Sequence, residues 1–222
     1  MGPKTTIGPM VKTFKSLNSP ARIAVLVSGT GSNLSALLEA QLDPSFGATV
    51  VSVGADRDGA GALELAADAG VETFVLKVSD FPDRDAWDAA LSEKLQEVAP
   101  DIVVCAGFMK MLGPQVLAAF PGRVVNTHNS LLPAFAGING PADAVEYGVK
   151  IAGATLFVVD PGMDSGAILA QVTCPVFRED TAETLLERIK GVERAQLVDV
   201  VGKMARNGWW IDGRWAEVNP HA

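Results

Sequence analysis

From Arg22 onward the chain alternates between two kinds of segment, and that alternation limits its fold more than any other feature. "RIAVLVS" is a short β-branched apolar run, the mark of a strand buried on both faces. "SNLSALLEAQ" follows, with Leu34, Leu37 and Leu38 at helical spacing. The alternation continues through strand "ATVVSVGA", helix "GALELAADAG" and short strand "VETFVLK". A helix over 83–98 then puts Trp87, Leu91, Leu95 and Val98 on one face, and strand "DIVVCAG", a short helix opening at Pro114 and strand "RVVNTH" follow. Short links between such units predict an α/β fold, a doubly wound, mostly parallel sheet with right-handed crossovers.

Past His128 the character changes. "GATLFVVD" and "AILAQVTCPV" are separated only by "PGMDSG", too short for a crossover helix, so this part of the sheet is expected to be antiparallel. A long C-terminal helix is predicted from Asp180, with Glu183 completing a capping-box-like pair. Leu186, Ile189, Leu197, Val201 and Met204 give it an apolar stripe. In "WWIDGRWAEV" an Asp-Gly turn between two Trp-bearing arms signals a hairpin. Residues 1–20 show no clear period and lack the apolar core of a signal peptide. They read as a flexible leader outside the fold, which leaves 21–222 as a single domain.

Bulk properties narrow the function classes. A chain of 222 residues, 48% apolar and 20% charged, can bury a core without disulfides or a structural metal. The net charge of -8, with no long basic run, argues against a nucleic-acid partner, while a helix N-terminus and a few local cations still suffice for a small anion. Cys105 and Cys174 lie in apolar runs and read as buried, reduced thiols of a cytosolic protein. No apolar run is long enough for a membrane helix. The two histidines and two scattered cysteines make no zinc pattern, and no G-x-S-x-G elbow is present.

Three places carry candidate chemistry. "SGTGSN" (28–33) joins the first strand to the first helix, and its glycines can bring backbone N–H groups close to an anion. The dinucleotide fingerprint wants a third glycine where Leu34 stands, and no Walker-A lysine follows. The loop is therefore either a phosphate-monoester cradle, with Ser32 and Asn33 as donors, or a structural tight turn. Asp56, after the second strand, reads as a solvated turn residue rather than a ribose ligand. Asn126 and His128 are two apart in a strand and share a face, whereas Thr127 points away. They end a predicted parallel strand, where open α/β sheets bind ligands. An amide beside an imidazole can stabilise an oxyanion and pass a proton; a histidine satisfied by backbone at a strand end is the other reading. His221, the second histidine, lies one residue from the C-terminus. Asp164, in "PGMDSG", reads on its own as a turn-former.

Together, "SGTGSNL", "AGFMKML", "NTHNSLLPAF", "GAT", "DPGMDSGAILAQ" and "ERIKGVER" resemble, in order, the phosphoribosylglycinamide formyltransferase family of the formyltransferase superfamily, from about Arg22 to the final hairpin. The resemblance implies a Rossmann-like formyltransferase domain, with Asn126, His128 and Asp164 as the catalytic trio. It implies that Gly31, Ser32 and Asn33 hold a phosphate and that Glu193 holds the glycinamide substrate. It assigns the folate to Arg84 and to Met109, Lys110, Met111 and Leu112, with Asn126 touching it too, and makes Leu132–Pro133 a cis bond. The expected co-substrate is 10-formyltetrahydrofolate, with no metal. The expected partners are two small molecules, in a cytoplasmic monomer or homodimer.

Several positions depart from the family pattern. Lys110 stands where Arg is common, Asn129 where Pro is common, and Ala136 and Asn139 where Pro and a second His are expected. Phe157 replaces another frequent His, and Ala167 a frequent Pro. Phe donates no hydrogen bond and Asn carries no proton at neutral pH. Three rivals remain at this level: a formyltetrahydrofolate hydrolase, a methionyl-tRNA formyltransferase, and an inactive folate- or nucleotide-binding homologue.

Overall fold

The computed structural model describes residues 11–219, and within them strand β2 (Ala21–Val27) organises the layers. Its side chains alternate between two cores: Ile23, Val25 and Val27 enter one, Ala24 and Leu26 the other. Strand β5 (Ile102–Cys105) does the same, Ile102 and Val104 against Val103 and Cys105. A strand apolar on both sides must be covered on both sides. Helices α1 (Ser32–Ala40), α2 (Gly61–Asp68) and α6 (Ala182–Asn207) cover the first face. Helices α3 (Arg84–Val98) and α4 (Pro114–Ala119) cover the second. The α3 stripe lies where its spacing puts it, with Trp87, Leu91, Leu95 and Val98 all buried. Each such side chain contributes about 1.5–3 kcal/mol through the apolar area it withdraws from water.

The sheet also contains β1 (Lys12–Phe14), β3 (Ala48–Ala55), β4 (Glu72–Val75), β6 (Val124–His128), β7 (Ile151–Val158), β8 (Ile168–Pro175), β9 (Trp209–Asp212) and β10 (Trp215–Val218). The ten strands run in the order β1-β9-β10-β8-β7-β6-β5-β2-β3-β4. From β6 to β4 neighbours are parallel; β7 is antiparallel to β6, and β8 to β7. The hairpin β9–β10 pairs antiparallel and joins β8 through β10. Chain order reverses beside β2, because β3 and β4 extend the sheet one way while β5 and β6 extend it the other. Ligands of open α/β sheets bind at such a switch point, beyond the strands' carboxyl ends.

Three of these expectations are corrected by the fold. Residues 11–20 are not outside the fold: β1 pairs antiparallel with β9, Phe14 stacks on Trp209 at 5.4 Å, and the Leu17 N–H donates to Asp101. The α6 capping box is one residue later than read. Thr181 is the N-cap and Thr184 its reciprocal partner, while Asp180 accepts from the Phe177 N–H and from Arg188. Leu185, not Leu186, begins the buried stripe of α6, and Leu186 faces a cavity instead. Helix α5 (Gly140–Tyr147) has no counterpart among the sequence expectations. Cys105 and Cys174 are buried free thiols, as expected, and burial pushes the Cys105 thiol up to about 12. The Leu132–Pro133 bond is cis. No helix among the described residues is long and apolar enough to cross a membrane. His221 lies outside the described residues.

Candidate active site

A cavity of about 490 Å³ opens at the carboxyl ends of β2, β5 and β6. It is lined by Gly31, Ser32, Asn33, the run Met109–Leu112, Asn126, His128, Asp164 and Glu193, so the structure brings together every candidate except Arg84.

The pleat of β6 sorts its last residues. Val124 packs in the α3–α4 core and Val125 in the α6 core. Asn126 and His128 therefore share the α3–α4 side, and Thr127 turns toward α6. His128 Nε2 lies 3.3 Å from the Phe135 carbonyl. A carbonyl only accepts, so Nε2 makes this bond only when it carries a hydrogen. Nδ1 faces Asp164, whose Oδ2 is 3.8 Å away.

Asp164 is not merely a turn-former. Its φ of +49° is unusual for a residue with a Cβ, and its loop is fixed from both sides. Asp160 accepts from the Ser165 hydroxyl at 2.7 Å and the Gly162 N–H at 3.0 Å. The Gly137 N–H donates to Asp164 Oδ2 at 2.9 Å, which ties the loop after β6 to the loop after β7. Phe157 pairs with Asn126 across β6–β7 and is 2% exposed, so it walls the cavity with an apolar ring. Asn139 is exposed and gives α5 no side-chain cap.

At one end of the cavity, Gly31 has φ +85° and caps α1. A Cβ there would stand 2.7 Å from that of Ala62, so only glycine lets the turn lie against α2. Ser32 opens the helix, and no acidic side chain occupies its first turn. Lys190, from α6, lines the same cavity. Asn33 Nδ2 donates to Glu193 Oε1 at 3.3 Å, and its buried Oδ1 has no protein partner among the described residues. Thr127 Oγ1 donates to the same Glu193 oxygen at 2.6 Å. Burial dominates the Glu193 carboxyl and pushes it above the usual range, against the pull of Thr127, Asn33, Lys190 and Arg194.

At the other end, the loop after β5 is pinned from beneath. The Met109 N–H donates to Ser28 Oγ at 2.8 Å. Arg84 donates to the Met111 carbonyl and lies 4.5 Å from the Trp87 ring, so it supports the loop without lining the cavity. Lys110 Nζ is 3.5 Å from Asp56, whose side chain is 1% exposed and also paired with Arg57 at 3.0 Å. The expectation of a solvated turn at Asp56 is thus wrong. Burial pushes its carboxyl up, but Arg57, the Ser28 hydroxyl and Lys110 together hold it below the usual range. Sequence reasoning also missed Thr127 and Lys190. Lys190 had a signal, one helical turn before Glu193; Thr127 had only its place on the other side of the strand. Among the described residues no cluster of three or more His, Cys, Asp or Glu side chains is placed to hold a metal ion.

A parallel-sheet rim thus gathers an amide, an imidazole and a carboxylate around one cavity. Residues 21–201 match the family model described as Formyl transferase, and the chain belongs to that family. It is 51% identical over 199 residues to a phosphoribosylglycinamide formyltransferase of Mycobacterium tuberculosis, covering 90% of this chain and 92% of that one. Among solved structures it is similar to glycinamide ribonucleotide transformylase 1 from Symbiobacterium toebii, at 39% identity and a TM-score of 0.87, over 90% of this chain and 94% of that one. A formyltetrahydrofolate deformylase from Pseudomonas syringae, at 23% identity and a TM-score of 0.83, shares the fold over 90% of this chain and 66% of its own.

Proposed function

We propose that this chain transfers the formyl group of 10-formyltetrahydrofolate to the amine of phosphoribosylglycinamide. The observation that carries the reading is the convergence of Asn126, His128 and Asp164 on a cavity whose two ends differ in chemistry. The end at Gly31, Ser32 and Asn33, with Lys190 across from it, suits a phosphate monoester. Among the described residues both hydrogen bonds to Glu193 fall on Oε1, which leaves Oε2 for a donor of the same substrate. The loop of Met109, Lys110, Met111 and Leu112, with Arg84 behind it, suits the ring systems of a folate.

The step is direct displacement. The amine nitrogen attacks the formyl carbon and forms a tetrahedral centre, whose oxyanion Asn126 and His128 stabilise. The bond from that carbon to the folate nitrogen breaks. The proton lost by the amine reaches the folate nitrogen by way of Asp164 and water. Phe157 and Asn139 cannot relay it, so the path runs through Asp164 and water, with His128 beside it.

The test is to supply 10-formyltetrahydrofolate with and without phosphoribosylglycinamide and follow loss of the formyl group. Loss that depends on the amine substrate is expected. Loss without it would make the chain a hydrolase, and binding without loss an inactive homologue.

A further inference from the structure

We propose that Thr127 is a positioning residue for the phosphoribosylglycinamide substrate: from the reverse side of the catalytic strand it holds the Glu193 carboxylate in one orientation beside the Gly31–Asn33 turn. The inference rests on the proposed function and adds a residue to it. The Thr127 hydroxyl reaches Glu193 Oε1 at 2.6 Å, the distance of a charge-assisted bond, with Thr127 8% and Glu193 3% exposed. Asn33 donates to the same oxygen from the other side, at 3.3 Å. Two donors on one oxygen fix the rotation of the carboxylate, and they connect it to β6 on one side and to α1 on the other.

The arrangement divides labour within three consecutive residues of β6. Asn126 and His128 serve the carbon being transferred, and Thr127 serves the binding of the substrate that receives it. A carboxylate this deep is costly unless its lone pairs are occupied by donors. The charged groups facing it, Lys190 and Arg194, are both on its own helix. The donors from the other elements are the neutral Thr127 and Asn33. Removing the hydroxyl therefore weakens the ionised form and loosens the geometry together.

Thr127→Val keeps the shape and β-branching but removes the donor, and Thr127→Ser keeps the donor. Three quantities are measured for each: affinity for phosphoribosylglycinamide by calorimetry without folate, the KM of each substrate, and the Glu193 titration by carbon-13 NMR of the side-chain carboxyl. Valine should weaken amine-substrate binding and raise its KM about ten- to a hundredfold, the scale of a lost hydrogen bond to a charged group. The folate KM should stay within about twofold, and the Glu193 carboxyl should titrate at higher pH than in wild type. Serine should restore all three. An unchanged amine KM in the valine variant overturns the proposal. So does an equal loss for both substrates with no rescue by serine, or an unmoved Glu193 titration. A wild-type protein that neither binds nor formylates phosphoribosylglycinamide overturns the proposed function instead, which the wild-type arm reads independently of the variants.

Discussion

The two ends of the cavity are built from different materials. The end at Gly31, Asn33, Thr127 and Glu193 sits on helices and strand, with Asn33, Thr127 and Glu193 buried and the first two both donating to Glu193. The end at Met109–Leu112 is a loop whose backbone is pinned by Ser28 and Arg84, while Met109 is 64% and Met111 50% exposed. Fixed donors give orientation to a small polar substrate, and flexible thioethers give tolerance to a larger apolar one. The trio of Asn126, His128 and Asp164 lies between them.

Substitutions in the trio should break catalysis without favouring either end. His128→Ala or Asp164→Asn is expected to lower kcat by about two to four orders of magnitude, the usual scale for proton-transfer and oxyanion groups. Steady-state kinetics should leave both KM values within a few-fold. Near-normal turnover in either variant would remove the roles assigned to the trio.

Glu193→Gln sharpens the contrast, because it separates function from stability at the rigid end. The KM for the amine substrate should rise about ten- to a hundredfold, as for other lost bonds to a charged group. Stability should move the other way. Burial raises the Glu193 carboxyl in the folded state, so between the ordinary glutamate value and the raised one the native protein holds the extra proton. Wild-type stability therefore falls as pH rises through that window, and the neutral glutamine escapes the fall. Thermal unfolding at neutral pH should put the variant above wild type, with the gap closing in acid. A variant less stable at every pH would mean that the ionised carboxylate holds the fold together rather than being held by it.

Asp56→Asn tests the flexible end by loosening what lies under it. Asp56 connects Lys110 and Ser28, and through them the loop, to the ends of β2 and β3. The folate KM should rise about three- to tenfold, since an ion pair with a partly exposed lysine is worth about 1 kcal/mol. kcat and the amine KM should hardly change. The acid limb of stability should also shift. Asp56 titrates below its usual range when folded, so its contribution is present above that range and is lost as pH falls through the folded value. The asparagine variant should lack that part of the loss. Equal shifts in both KM values would show that the two ends are not independently built.

How far these features could be read beforehand follows from how local they are. β3 was read at both its ends, and the α3 face residue by residue, because periodicity within one segment determines them. The positions of Asn126 and His128 came from strand alternation alone. β1 was invisible because three residues, Lys12, Thr13 and Phe14, carry no pattern; their pairing is supplied by Trp209–Ile211, at the far end of the chain. Helix α5 opens on Gly140 and Pro141 and buries only Ala144 besides them, so it has no apolar stripe to detect. Asp56 looked solvated because its partners Ser28 and Lys110 come from two other loops. The Thr127–Glu193 bond joins residues 66 apart, across two layers, and nothing near either residue announces it.

The smallest effect is expected at the rim, and it tests the contrast most directly. Met109→Leu and Met111→Leu exchange a flexible thioether for a branched chain of similar volume, a swap that even a packed core tolerates at under about 1.5 kcal/mol. Both side chains stand largely in solvent in the folded protein, so little native packing is lost. What changes is their ability to conform to a ring system, and that loss is offset by the smaller entropy leucine gives up on binding. The folate KM should therefore change by no more than about threefold in either variant, with kcat and the amine KM unaffected. If either leucine instead cost a hundredfold in folate KM, the rim would be as shape-determined as the buried carboxylate end, and the difference between the two ends would reduce to burial alone.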